Sequence, residues 1–279
     1  MSTGSGLLFG AASALAFGAG DFAGGSATRR APVLAVAGLA QLVGLAGLLV
    51  VLGLQRPALP EARVLLLGAG AGACGSFGLV ALYRGLSLGS MGLVTALSGV
   101  GSVTLPVVVG AAFLGHLFSP LQALGVVAAV AAGAAASGAT LQGIRADALR
   151  LALLAAVGLG MWFVLLDLAA AGGDELWVLV ASRATSLVLV GSLAMARGTT
   201  QLGSTWPLVA LAGLLDVTGN AAFVLSRAAI PVGTAAALSG LYPIVTMLLA
   251  RIVLREALPA LGLASVGLAM LGILFIALG

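Results

Sequence analysis

The chain contains no lysine; all twelve of its basic residues are arginines. A Schiff-base lysine, for retinal or a carbonyl substrate, is therefore excluded. Cys74 is alone, which rules out an internal disulfide and a thiolate metal cluster. His116 is the one histidine, so imidazole metal sites and most nucleophile–base pairs are absent too. Charge of either sign is scarce: 7% of residues carry it, against about 25% in soluble domains. So few charges could not cover a surface facing water. The net charge of +4 is spread over short connections without a basic run, which leaves no nucleic-acid footprint and no polybasic lipid patch. No cofactor or metal is expected.

What remains is apolar. The chain is 61% hydrophobic with a mean hydropathy of +1.24. Runs near the ~20 residues that cross a bilayer core recur throughout. Ten are read, at 5–27, 31–54, 62–83, 90–114, 120–142, 149–171, 175–196, 206–226, 233–254 and 258–278. The expected fold class is therefore an all-α membrane protein with ten transmembrane helices. "ALA" at Ala14 to Ala16 has the look of a signal-peptide cleavage site. No positive region precedes it and glycines break the core, so the segment reads as a retained span. The connections are short enough to leave no room for a soluble domain.

Glycine is abundant, at 42 residues. Helices in lipid gain nothing from burying apolar area on one another, so they associate where small residues let backbones approach. "GLLFG" (Gly6 to Gly10) and "GAGAG" (Gly68 to Gly72) have this form. The third span, small on every face, is expected to lie between neighbours.

The sequence also repeats itself. "SMGLVTALSGVGSVTLPVVVGAAFLGHLFSPLQALG" (Ser90 to Gly125) and "PVGTAAALSGLYPIVTMLLARIVLREALPALG" (Pro231 to Gly262) share an ordered set of features. Each has a small-residue start, "ALSG", a proline within the helix at a different offset (Pro106, Pro243), and a polar break at "LGH" or "LRE". A further proline then precedes the next span (Pro120, Pro259). Each is the fourth span of a set of five, which points to duplication. With an odd number of spans per copy, the second copy enters the membrane from the opposite side. The halves, 1–142 and 149–279, are thus expected to be inverted five-helix repeats of one transport domain, with a site near the midplane between them.

These segments resemble the drug/metabolite transporter superfamily, of the ten-helix EamA type. The "ALSG…P…LGH" and "ALSGLYP…LRE" units are similar to its fourth and ninth helices with their usual "LGE" ending. Glu256 keeps that acid and His116 departs from it. The family's tryptophan in helix six is matched by Trp162, while Phe17 stands where helix one would carry the other. Its arginine in helix seven is matched by Arg183, while Gln41 occupies the corresponding place in helix two. The resemblance implies export of amino acids, drugs or other small metabolites, with protons as a coupling ion. It also implies a multi-pass protein of the bacterial inner membrane, monomeric or homodimeric.

Charge inside a span is costly, about 2.5–3.5 kcal/mol for an acid or a base at mid-helix, and such residues face a cavity or a partner. Asp21, Asp167, Arg183 and Asp216 qualify, with Asp216 nearest the centre of its span. Phe17 and Asp21 share a helix face, as do Asp216 and Asn220. Trp162 and Asp167 lie about 140° apart around their helix. With Tyr242 beside the Pro243 bend, these make the candidate substrate-binding set: Phe17, Asp21, Trp162, Asp167, Arg183, Asp216, Asn220 and Tyr242. Asp216 is open to two roles, a proton-binding acid or the scaffold partner of Arg183. "GAGD" (Gly18 to Asp21) also fits the GxGD pattern of intramembrane aspartyl proteases, which need a second carboxylate alongside. A passive structural or channel protein is a third alternative, although no charged ring or filter is visible.

Orientation is pulled two ways. Arg29, Arg30, Arg84, Arg145, Arg150, Arg197, Arg251 and Arg255 fall on one side, and Arg56, Arg63 and Arg227 on the other. The positive-inside rule puts the first group in the cytoplasm and the termini outside, whereas the resemblance implies cytoplasmic termini and is the reading preferred.

Overall fold

The computed structural model describes residues 2–113, 119–140, 145–170, 175–230 and 232–279. His116 lies outside them, as does the side chain of Asp167. Among the described residues the chain is helical, without strands: α1 (Thr3–Thr28), α2 (Val33–Gln55), α3 (Ala62–Leu88), α4 (Met91–Phe113), α5 (Pro120–Thr140), α6 (Ala146–Ala170), α7 (Glu175–Ala196), α8 (Trp206–Arg227), α9 (Val232–Ser239), α10 (Tyr242–Val253) and α11 (Ala260–Leu278). A single 3-10 turn, Gly203–Thr205, leads into α8. Among the described residues eight helices are long and apolar enough to cross a membrane, and Pro120–Ala136 and Tyr242–Val253 are shorter apolar segments.

Nine of the ten expected spans coincide with one helix each, their ends shifted by at most five residues. The ninth, expected to run unbroken over 233–254, is two helices, α9 and α10, parted at Gly240 and Leu241. Pro243 is the reason: it has no N–H, and its ring collides with the carbonyl four residues back. Gly240 adds backbone freedom just upstream, and Leu241 and Ile244 close short turns onto Leu238 and Leu241 (3.2 and 3.0 Å). Pro106, the proline after the first "ALSG", stays inside a continuous α4.

Packing follows the small residues. In the α1–α8 seam, Ser13 Oγ donates to the Gly219 carbonyl (2.9 Å) and Ser226 Oγ to that of Gly6 (2.8 Å). In the α3–α6 seam, a Cβ on Gly158 would stand 2.6 Å from the Cα of Gly78. Ser186 of α7 donates to the Gly72 carbonyl of α3 (2.8 Å), and Ser265 of α11 to that of Ala132 on α5 (2.8 Å). Hydroxyl-to-carbonyl bonds of this kind need backbones in near contact. Large apolar side chains such as Leu8, Leu54, Leu66, Val130 and Ile252 point outward, as a lipid-facing surface requires.

The most extensive contacts, α3 with α6, α1 with α8, α5 with α11 and α4 with α6, all join the first five spans to the last five. The halves are interleaved; they are not two bundles lying side by side.

Gly72 offers a direct test. A Cβ there would lie 2.2 Å from the backbone oxygen of Ser182, which cannot move without parting α3 from α7. Gly72→Val should cost at least the ~1–3 kcal/mol of an overpacked core, read as a lower unfolding temperature in detergent. At Gly38 a Cβ meets nothing within 4 Å, so Gly38→Ala should be neutral or slightly stabilising.

Candidate functional site

Arg183 sits two turns into α7. Its Nη1 donates to Oε1 of Gln41 on α2 at 2.5 Å, and its Nη2 donates to the carboxylate of Asp216 on α8. Asn220, one turn along α8, donates from Nδ2 to the Asp216 backbone carbonyl (2.8 Å) and reaches its Oδ2 at 3.4 Å. Gly44, one turn from Gln41, would place a Cβ 3.6 Å from Arg183 Nη1, so a larger residue there would crowd the guanidinium. The line Gln41–Arg183–Asp216–Asn220 thus joins three helices. Arg183, Asp216 and Asn220 border a small cleft with Leu48, Leu179 and Val217, holding about 200 Å³ of empty space with its mouth included.

Asp21 lies next to this line. Its neighbour Gly20 packs on α8, where a Cβ would be 3.8 Å from the Asp216 nitrogen. Asp21 is near enough to Asp216, Tyr83 and Tyr242 for its charge to interact with them, and Arg183 is as near to Tyr83. Asp21 itself is half-buried. Phe17, one turn before it, meets Tyr242 edge-on with ring centroids 6.4 Å apart. Tyr83 of α3 covers Gly24, where a Cβ would fall 2.6 Å from the phenol oxygen.

Phe17, Asp21 and Tyr242 are therefore together, and Arg183, Asp216 and Asn220 are together, the two groups adjoining where Gly20 packs against the Asp216 backbone. Trp162 stands apart. Its Nε1 donates to Ser182 Oγ (2.9 Å), and its ring lies on Gly75 and edge-on to Phe163. It closes the seam of α3, α6 and α7. Asp167 is on α6, with its side chain outside the described residues. Gln41 and Tyr83 were not among the candidates. Gln41 was visible as the position where an arginine was missing. Tyr83, flanked by Arg84 near a helix end, reads in sequence as an interfacial aromatic. Among the described residues no group of three His, Cys, Asp or Glu side chains is placed to hold a metal ion.

At one end of the bundle a second polar junction closes the structure. Arg255, in the left-handed region at φ 55°, turns the chain out of α10 and aims Glu256 inward. Glu256 Oε1 meets Arg29 at 2.5 Å, and its Oε2 accepts the Met91 amide at 2.9 Å, at the first turn of α4. Negative charge is favoured there because helix-start amides are unpaired. Residues 91–100, behind this junction, are all buried.

Residues 148–278 match the profile of the EamA-like transporter family. Over that stretch the chain is similar to the EamA-like transporter family. No curated protein matches the chain. A solved structure described only as "Crystal structure of protein" superposes with a TM-score of 0.63 at 17% identity, covering 98% of this chain and 96% of that one. At that identity the likeness is one of fold. The EamA-like half carries Arg183, Asp216, Asn220, Tyr242 and Glu256, so it supplies the cation of the central line and the acid of the end junction. The first half answers with Gln41, Asp21 and Arg29.

The EamA-like pair Arg183–Asp216 can be weighed by mutation. The side chains are 17% and 35% exposed, so the loss should fall below the ~3–5 kcal/mol of a fully buried pair and near the ~1.5–3 kcal/mol of charged hydrogen bonds. Asp216→Asn is expected to lose that much stability in detergent, with most of it recovered by adding Arg183→Gln. An Asp216→Asn protein as stable as the parent would mean that the pair does not hold the helices.

Proposed function

We propose that this EamA-like protein is a secondary active transporter that exports a small metabolite, amino acid or drug by alternating access, with protons as the coupling ion. The observation that carries this reading is the charged cluster itself. Asp21, Gln41 and Tyr83 from the first half converge with Arg183, Asp216 and Tyr242 from the second, inside helices of membrane-spanning length. Such groups are costly in lipid and are retained where they serve a polar path.

Two inverted repeats, 1–142 and 149–279, form the mechanical part of the proposal. The pattern of helix packing supports it. Exchanging the five spans of one half for those of the other turns α1–α8 into α6–α3, α2–α8 into α7–α3, and α4–α6 into α9/α10–α1, all observed pairs. The α2–α7, α4–α10 and α5–α11 pairs map onto themselves. Gln41 and Arg183, at equivalent places in the repeats, meet in one of these self-paired seams. The Glu256 junction closes one end of the path, while the cleft beside Arg183 lies toward the other. The bacterial inner membrane is the proposed location.

The protease alternative draws on the closeness of Asp21 and Asp216. A dyad has two carboxylates sharing one proton; here Asp216 is held by Arg183 and Asn220, which disfavours that role.

The decisive measurement is transport by purified protein in liposomes, screened against amino acids and cationic drugs with and without a pH gradient. Gradient-driven movement of at least one of them is expected, and none in any arm would end the transport reading. Site-directed labelling tests the closed end. In a Cys74→Ser background, Leu48→Cys at the cleft should react with a membrane-impermeant thiol reagent and Leu97→Cys should not. Adding Glu256→Gln should expose Leu97→Cys several-fold. No change on losing the Glu256 charge would separate that junction from gating.

A further inference from the structure

The two ends of the bundle differ in charge. Because the helices alternate in direction, the α1–α2, α3–α4, α5–α6, α7–α8 and α10–α11 connections gather at the Glu256–Arg29 end. The α2–α3, α6–α7 and α8–α9 connections and both chain termini gather at the other. Contacts fix this grouping. A Cβ on Gly89, just past α3, would stand 2.4 Å from that of Ala148 at the start of α6. At the opposite end Trp177, at the start of α7, donates to the Ala58 carbonyl between α2 and α3 (2.8 Å). Eight of the twelve arginines fall at the Glu256 end and three at the end with the termini, the remaining one being Arg183.

Pairing sharpens the difference. At the Glu256 end Arg29 is held by Glu256, and Arg145 and Arg150 by Asp147. Arg30, Arg84, Arg197, Arg251 and Arg255 are exposed there, with no side-chain hydrogen bond or ion pair among the described residues. At the other end Arg227 is held by Glu175, and Arg56 turns its Nε onto the Gly53 carbonyl (3.3 Å). Only Arg63 is left in the same free state, among the described residues. The five free guanidiniums stand on α1, α3, α7 and α10 or just past them. They are spread over the end of the bundle, which suits a broad anionic surface better than one small anion. A guanidinium keeps its proton, so arginines of short connections stay on the cytoplasmic side during insertion. The leaflet on that side carries anionic headgroups, which attract basic residues at its surface.

We propose that the Glu256 end is the cytoplasmic face of the protein, its free arginines resting on the anionic headgroups of that leaflet, with both chain termini outside. This reverses the orientation drawn from the resemblance, and it holds whether or not the chain transports anything. For a transporter it assigns a side to each end of the path. The Glu256 junction is shut toward the cytoplasm, and the Arg183 cleft lies toward the outside, with Leu179 one turn from the outer start of α7.

Two single cysteines in a Cys74→Ser background read the sidedness. Leu59→Cys lies between α2 and α3, where Leu59 is 72% exposed, and Thr200→Cys lies at an exposed position between α7 and α8. In intact bacterial cells expressing the full chain, a membrane-impermeant maleimide should label Leu59→Cys at least tenfold faster than Thr200→Cys. Permeabilising the inner membrane should make the two comparable. The opposite order in intact cells, or equal labelling there, overturns the proposal. The headgroup contact is read separately, as melting temperature in detergent. Added phosphatidylglycerol should raise it by several degrees, and phosphatidylcholine and inorganic phosphate should not. Replacing the five free arginines by glutamine should abolish the gain. An equal gain from phosphatidylcholine or from phosphate removes the headgroup contact, as does an undiminished gain in the five-site variant. Should that variant not fold, the parent's response to the three additives decides.

Discussion

A guanidinium cannot shed its proton in a protein, so Arg183, once placed inside a membrane-length helix, has to be answered by its neighbours. Much of the centre follows from that requirement. Gln41 supplies a neutral acceptor from α2 and Asp216 a charged one from α8, so three helices from both halves are tied at one point. Gly44 leaves room for the planar group. Asn220 then steadies Asp216 from one turn away. Asp21 reaches the same region without a hydrogen bond or ion pair among the described residues.

The spans could be read from sequence because lipid demands them: a helix satisfies its backbone internally, and its length is set by the bilayer. The break in the ninth span could not. Pro106 and Pro243 each follow an ALSG, at different offsets, yet only the second parts its helix. Near Pro106, Ser102 and Thr104 return their hydroxyls to the carbonyls of Gly99 and Val100 (2.9 and 2.7 Å), keeping the local backbone bonded. Near Pro243 the residue four back is again a serine, Ser239, but its buried hydroxyl makes no hydrogen bond, and Gly240 and Leu241 follow it. That difference depends on side chains folding back, which hydropathy does not register.

The site divides similarly. Arg183, Asp216 and Asp21 stand out as charges in apolar runs, and their convergence follows from cost alone. Gln41 carried no such signal, because a neutral amide in a helix is unremarkable until its partner is known. Tyr83 was hidden by its place beside Arg84. Trp162 was conspicuous as a large aromatic, but its indole N–H is spent on Ser182, a bond no spacing rule reveals. Glu256 was recognisable as the acid of a family motif, while its reach to Arg29 and the Met91 amide depends on the left-handed turn at Arg255.

The glycine seams have a mechanical consequence. Where α1 meets α8 and α3 meets α6, backbone rests on backbone with little compressible side chain between. Interfaces of that kind resist shear, since sliding by a fraction of a turn drives a Cα into a carbonyl. Each such pair takes one helix from either half of the sequence. Any large rearrangement would therefore carry α1 with α8 and α3 with α6 as stiff struts, and deformation would concentrate in joints of larger side chains, such as α4 against α10. A boundary between moving parts would then run across the two sequence halves, not between them.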